Sequence, residues 1–259
     1  MLLGMPTLLE ANDVEDCARL CKDLGLNFVE LNMNMPQYQT DKIDVNFLNS
    51  LADKYGIAYT LHLDENTNVC DFNNLVAKAY SQSVADTIDI AKKLGARIIN
   101  MHLSKGVYFT LPDKKVYLYE KYLERYLTSI LEFRDLCEKK IGDSIIYICI
   151  ENTNGFEDFQ IKALDILLQS KVFGLTFDIG HNYASGGKDE DFILNNKAKL
   201  RHFHLHDATR SADHLAFGEG EINLSKYFDL AKRIGASCVI ETKTLDSLQK
   251  SCDAAKRIC

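Results

Sequence analysis

The 259-residue chain has no tryptophan, and its charge balance is 30 Lys+Arg against 37 Asp+Glu, a formal net charge of −7. An acidic chain has no general attraction for nucleic acid or anionic membranes, although a local basic groove is compatible with it. No run of about 18 apolar residues is present, so no membrane-spanning helix is expected. The opening Met1-Leu-Leu-Gly-Met-Pro lacks a charged stretch followed by a long apolar one, and no secretory leader is expected. No CxxC pair occurs among the eight cysteines. Cys149 and Cys238 lie in strand-like runs and read as small buried apolar residues. Dispersed thiols in such a chain point to a reducing, cytoplasmic setting. No GxGxxG follows the first apolar run, which counts slightly against a doubly wound dinucleotide fold.

What is present is an alternation. The chain is 46% hydrophobic, which suits one domain over residues 1–259 with a well-covered core. Short apolar runs at 2–5, 28–31, 58–63, 97–103, 145–151, 172–178, 200–206 and 237–241 read as strands. Between them, helical spacing predicts helices over 14–24, 44–55, 73–94, 116–140, 159–169, 191–196, 223–234 and 245–258. Helix, glycine and strand follow one another at Leu24-Gly25, Tyr55-Gly56, Leu94-Gly95 and Ile234-Gly235. Eight strand–helix units with short connectors predict a single (β/α)8 TIM barrel.

Six of the eight strands end on a metal-capable side chain: His62, His102, Glu151, Asp178, His204 and Glu241. Taken singly, a histidine at a strand end is more often just hydrogen-bonded. Glu151, Asp178 and Glu241 close runs that are otherwise apolar, and a carboxylate there needs a partner. Barrel active sites collect at the C-terminal ends of the strands, so the six predict one shared pocket. Imidazoles with carboxylates suit Zn²⁺, Mn²⁺, Fe²⁺ or Mg²⁺. His181, in the loop after the sixth strand, and His214, in the loop after the seventh, extend the set. His202, His204 and His206 alternate and share a face. His202 is expected in the barrel interior, and His206-Asp207 at the mouth.

The phrases Ile150-Glu-Asn-Thr-Asn-Gly155, Phe177-Asp-Ile-Gly-His181, His204-Leu-His-Asp207, His214-Leu-Ala-Phe-Gly-Glu-Gly220 and Ile240-Glu241 resemble the xylose isomerase-like TIM-barrel superfamily. That superfamily includes sugar phosphate isomerases/epimerases and the endonuclease IV family. In the epimerase branch the resemblance implies one metal, commonly Mn²⁺, on Glu151, Asp178, His204 and Glu241, with His181 touching the sugar. In the endonuclease branch it implies three zinc ions. His62 and His102 would then join Glu151 on a second, and His181, His214 and an Asp would hold the third. Here that Asp is displaced by one residue, because Ala212 stands two before His214 and Asp213 directly before it.

Isomerisation moves a proton beside a carbonyl, and Glu151 and Glu241 are the candidate acid/base pair. Phosphodiester cleavage instead needs several metal ions and a cationic track for the backbone. The loop Asp64-Glu65-Asn66-Thr67-Asn68 is acidic, and Asn32–Thr40 has no Lys or Arg. Lys105, Arg210 and Lys243 are the cations placed nearest the mouth, enough for a sugar phosphate and few for a duplex. The favoured expectation is a metal-dependent sugar or sugar-phosphate isomerase/epimerase. The alternatives are a zinc phosphoesterase of the endonuclease IV type and a non-catalytic metal- or ligand-binding barrel. Met33, Met35, Pro36 and Tyr38 either cap the pocket or contact a second copy in a homo-oligomer.

Overall fold

A computed structural model describes residues 1–258. Eight parallel strands close into a barrel in the order β1-β10-β9-β8-β7-β4-β3-β2. They are β1 (Leu2–Pro6), β2 (Phe28–Asn32), β3 (Ala58–His62), β4 (Ile98–His102), β7 (Tyr147–Glu151), β8 (Phe173–Asp178), β9 (Leu200–Leu205) and β10 (Ser237–Ile240). The barrel bears out the expected (β/α)8 architecture. The outer ring holds α1 (Val14–Asp23), α2 (Val45–Tyr55), α3 (Asn74–Leu94), α5 (Leu123–Ile141), α6 (Asp158–Leu167), α8 (Glu190–Asn195), α9 (Leu224–Ile234) and α10 (Leu245–Ile258).

Local chemistry sets these boundaries. Asp13, Asp44 and Asn73 accept backbone N–H groups at the starts of α1, α2 and α3, satisfying donors that a helix start leaves open. Gly56 and Gly95 end α2 and α3 at φ 68° and 67°, a left-handed conformation that costs glycine nothing. Apart from β1, the barrel strands are buried along nearly their whole length, as β8 shows with six buried residues of six. That explains their continuous apolar character. No helix among the described residues is long and apolar enough to cross a membrane.

Three local expectations change. The 104–115 loop and the first residues of the expected 116–140 helix form a hairpin, β5 (Tyr108–Thr110) with β6 (Lys115–Tyr117). Tyr108 and Tyr117 meet across it at 5.6 Å, and Lys115 lies over the Tyr108 ring. A short helix α4 (Leu118–Lys121) follows, and Tyr122 breaks it from α5 at φ −117°, ψ 50°. The stretch after β8 is a helix, α7 (Ile179–Ala184), whose N-cap is Asp178. Finally, Met33 and Tyr38 are buried in the chain's own core, so these two offer no surface to a second copy.

Candidate metal centre

The barrel gathers the strand-end residues at its C-terminal rim. Glu151 ends β7, Asp178 ends β8, His204 sits one residue inside the end of β9, and Glu241 directly follows β10. One ligand atom from each lies within 4.8 Å of the others. His204 Nδ1 is the hub, at 2.9 Å from Glu241 Oε2, 3.3 Å from Glu151 Oε1 and 3.9 Å from Asp178 Oδ2. All but Glu241 are fully buried, and its side chain is 14% exposed. Of the four, Glu241 is thus the one nearest solvent.

A second layer surrounds the four. His62 Nε2 and His102 Nε2 lie 3.5 and 3.3 Å from Glu151 Oε2. Asn100 donates to the same oxygen. His181, on the first turn of α7, places Nδ1 at 3.4 Å from Asp178 and 3.6 Å from Glu151. Asp178 in turn accepts the His181 backbone N–H at 2.7 Å. His214 Nε2 lies 3.5 Å from Glu241. Asp213, despite its one-residue displacement, reaches His214 Nδ1 at 2.9 Å and His181 Nε2 at 3.8 Å.

Charge in this pocket is tightly balanced. Burial pushes the carboxyls of Glu151, Asp178 and Glu241 up, but the neighbouring imidazoles outweigh it and hold all three below the usual carboxylate range. Burial likewise pushes the imidazoles of His62, His181, His204 and His214 down, and the carboxylates outweigh that too. His62 is carried to about 9, chiefly by Glu151. His181 is carried to about 10 by Asp178 and Glu151. His102 Nε2, His181 Nδ1, both His204 nitrogens, His214 Nε2 and Glu241 Oε2 are nonetheless buried without a well-aligned hydrogen bond. His204 Nδ1 and Glu241 Oε2, unpartnered and set beside the carboxylates of Glu151 and Asp178, are the kind of donor set a cation would satisfy. The residues therefore fit a divalent metal of the borderline class.

Several sequence expectations are relocated. His206 and Asp207 are buried, not at the mouth. His206 Nε2 bonds both Asp178 oxygens, at 3.0 and 3.1 Å, and its Nδ1 accepts the His214 N–H at 2.7 Å. With both ring nitrogens engaged, His206 orients Asp178. Asp207 builds the following loop, accepting N–H groups of Ala208, Gly218 and Ile222. Lys105 is paired with Glu157 at 3.0 Å. Lys243 Nζ lies 3.1 Å from Glu241 with its side chain 62% exposed, at the rim. Arg210 lies against Tyr183 and donates to its carbonyl. His202 is in the barrel interior as expected.

Sequence reasoning missed Glu30. It sits in the middle of β2, 2% exposed, bonded to Thr60 and His202 and 2.9 Å from His204 Nε2. The available signal was a carboxylate inside the apolar run Phe28–Leu31.

The family model described as xylose isomerase-like TIM barrel matches residues 18–258. An uncharacterized protein of Methanocaldococcus jannaschii is 27% identical over 225 residues, which are 82% of this chain and 74% of that one. Among solved structures, a D-tagatose 3-epimerase-like protein superposes with TM-score 0.81 at 24% identity, covering 100% of this chain and 97% of the other. The 3-keto-D-glucoside 4-epimerase of E. coli gives 0.79 at 13% identity, covering 100% and 98%. The D-psicose 3-epimerase of Clostridium cellulolyticum gives 0.75 at 17% identity, covering 99% and 97%. At these identities the structural likeness establishes a shared fold.

Proposed function

We propose, from the premise that this chain belongs to the xylose isomerase-like TIM-barrel family, that it is a divalent-metal-dependent sugar isomerase or epimerase. The observation that carries the proposal is the convergence of Glu151, Asp178, His204 and Glu241 within 4.8 Å. These four would hold one ion, Mn²⁺ or Zn²⁺. When bound, it supplies Lewis-acid polarisation of the sugar's carbonyl and hydroxyl oxygens. The names of the structural neighbours, sugar 3- and 4-epimerases, support the same substrate class.

The chain's own groups carry the proton chemistry. Glu241 is the more accessible carboxylate, and its lowered pKa keeps it ionised, an acceptor, at neutral pH. It takes the proton from the carbon beside the carbonyl, and Glu151, across His204 Nδ1, serves the other face. His181, 18% exposed, offers an imidazole to a sugar hydroxyl. Lys243 at the rim binds an outer oxygen or a phosphate.

The second reading is a zinc phosphoesterase of the endonuclease IV type. It is favoured by His62 and His102, both within 3.5 Å of Glu151 Oε2, and by the His181–Asp213–His214 contacts. Metal content decides between the two. Elemental analysis of the purified chain is expected to give one tightly held ion, and Glu241→Gln is expected to lose it. Deuterium incorporation from D2O into a panel of ketohexoses is expected for the native chain and absent for Glu241→Gln. Two or three zinc ions with nicking of abasic duplex DNA, lost in His102→Ala, would replace the first reading with the second. Unchanged metal content in Glu241→Gln would overturn the four-residue centre itself.

A further inference from the structure

The barrel interior holds a buried ionic chain that the fold does not need. Glu30 on β2, Thr60 on β3, His202 and His204 on β9 and Ser237 on β10 all meet below the strand-end cluster. Glu30 Oε2 accepts from Thr60 Oγ1 at 2.8 Å and lies 3.2 Å from His202 Nε2. His202 Nδ1 lies 2.6 Å from Ser237 Oγ. The other oxygen, Glu30 Oε1, lies 2.9 Å from His204 Nε2. Apolar side chains of similar volume would stabilise a barrel interior at least as well as an ion pair of this kind. The chain ends on the ring at the hub of the four-residue centre.

We infer that Glu30 is a positioning residue: it fixes the His204 ring so that Nδ1, and not Nε2, is presented to Glu151, Asp178 and Glu241. The inference rests on the metal-centre reading above. A neutral imidazole that gives one nitrogen to a metal carries its proton on the other, and the group facing that second nitrogen sets the tautomer. In this chain the facing group is the Glu30 carboxylate. Its approach to Nε2 lies off the N–H direction, leaving His204 without an aligned bond in the described geometry. A ligand on Nδ1 commits the proton to Nε2 and gives that contact its donor. Thr60 and His202 hold the carboxylate by its far oxygen, and Ser237 holds His202 in turn. His202 therefore donates from Nε2 and accepts at Nδ1. The register of β2 against β3, with Glu30 opposite Thr60, places the pair on one barrel layer.

The test uses the full chain, with Mn²⁺ for the affinity and Zn²⁺ for the spectra. Glu30→Gln keeps the side-chain shape and removes the charge. It is expected to weaken Mn²⁺ binding in a calorimetric titration by about 10- to 100-fold. Thr60→Val, which frees Oε2 while leaving the carboxylate, is expected to weaken it in the same direction by a smaller factor. The ¹⁵N shifts of His204 report the tautomer directly. In the native chain with Zn²⁺ the protonated nitrogen is expected to be Nε2, and Glu30→Gln shifts that signal, which a merely structural role would not. Equal affinity in native and Glu30→Gln chains overturns the inference and leaves the metal centre standing. If Glu30→Gln does not fold, Thr60→Val decides, and an unchanged affinity there overturns the inference. If the native chain takes up no Mn²⁺ or Zn²⁺, the metal-centre reading falls and this inference with it.

Discussion

Gly180 is the residue at which a single added carbon would disturb the centre most. It lies on the first turn of α7, and a Cβ built there would fall 1.9 Å from His206 Cε1 and 2.2 Å from Nδ1. To restore ordinary contact at 3.4 Å, the ring must withdraw by about 1.5 Å. It has nowhere to go without loss. His206 is fully buried, stacks on His214 at 4.2 Å, bonds Asp178 through Nε2 and accepts the His214 N–H through Nδ1. Overpacking costs about 1–3 kcal/mol. The hydrogen bond to the charged carboxylate is worth about 1.5–3 kcal/mol, and the one from the backbone about 1 kcal/mol. Gly180→Ala should therefore destabilise the metal-free chain by roughly 4 kcal/mol, lowering Tm by about 10 °C in a protein of this size. It should also loosen Asp178 and weaken Mn²⁺ binding by about 10- to 100-fold. Gly25→Ala is the control. Gly25 sits at φ 75° with no atom within 4 Å of a new Cβ, so its cost is backbone strain alone, about 1 kcal/mol. Calorimetric melting and a metal titration check both. A Gly180→Ala chain that melts within about 2 °C of the native one and binds Mn²⁺ equally would refute the crowding argument.

Two further predictions concern charge. In the metal-free chain His62 and His181 are raised from 6.5 to about 9 and about 10. Their contribution to stability is complete below pH 6.5 and is lost as pH rises through about 9–10. Glu151 and Glu241 are held below 4.5, so theirs is present above that pH and is lost as pH falls through their depressed values. Metal-free Tm should therefore be flat between about pH 4.5 and 6.5 and fall on both sides, read by calorimetry. Mn²⁺ affinity should instead rise from pH 6.5 towards 9, as the ligand His204, itself held protonated by its carboxylates, gives up its proton more readily and His62 loses its charge beside the ion, and a pH-independent titration would contradict this. Asp207→Asn replaces a carboxylate that accepts three backbone N–H groups and should cost about 2 kcal/mol. Hydrogen exchange over residues 208–222 should quicken, and an unchanged exchange pattern would show that the loop holds itself.

The barrel was legible because its strands are apolar on both faces, and glycine stops mark several of the helix ends. The strand-end cluster was legible for a related reason. A carboxylate such as Glu151 or Asp178 closing an apolar run stands out, since nothing in the run can solvate it. Glu30 did not stand out because it lies inside its strand, where sequence cannot say which face or which layer a residue occupies. Its partners His202 and His204 are more than 170 positions away along the chain. The burial of His206 depends on the space above Gly180, which only the turn of α7 after β8 creates. The hairpin of β5 and β6 was obscured because Val116-Tyr117-Leu118 reads equally well as the start of a helix, and pairing with 108–110 decides otherwise.

The clustered side chains come from β3, β4, β7, β8, β9 and β10, which are neighbours around the barrel. They form an unbroken arc that leaves only β1 and β2 without a donor at the rim. The connections leaving those two strands carry none of the converging side chains. A loop exchanged in this sector of the mouth would leave the four-residue group built from its own strands.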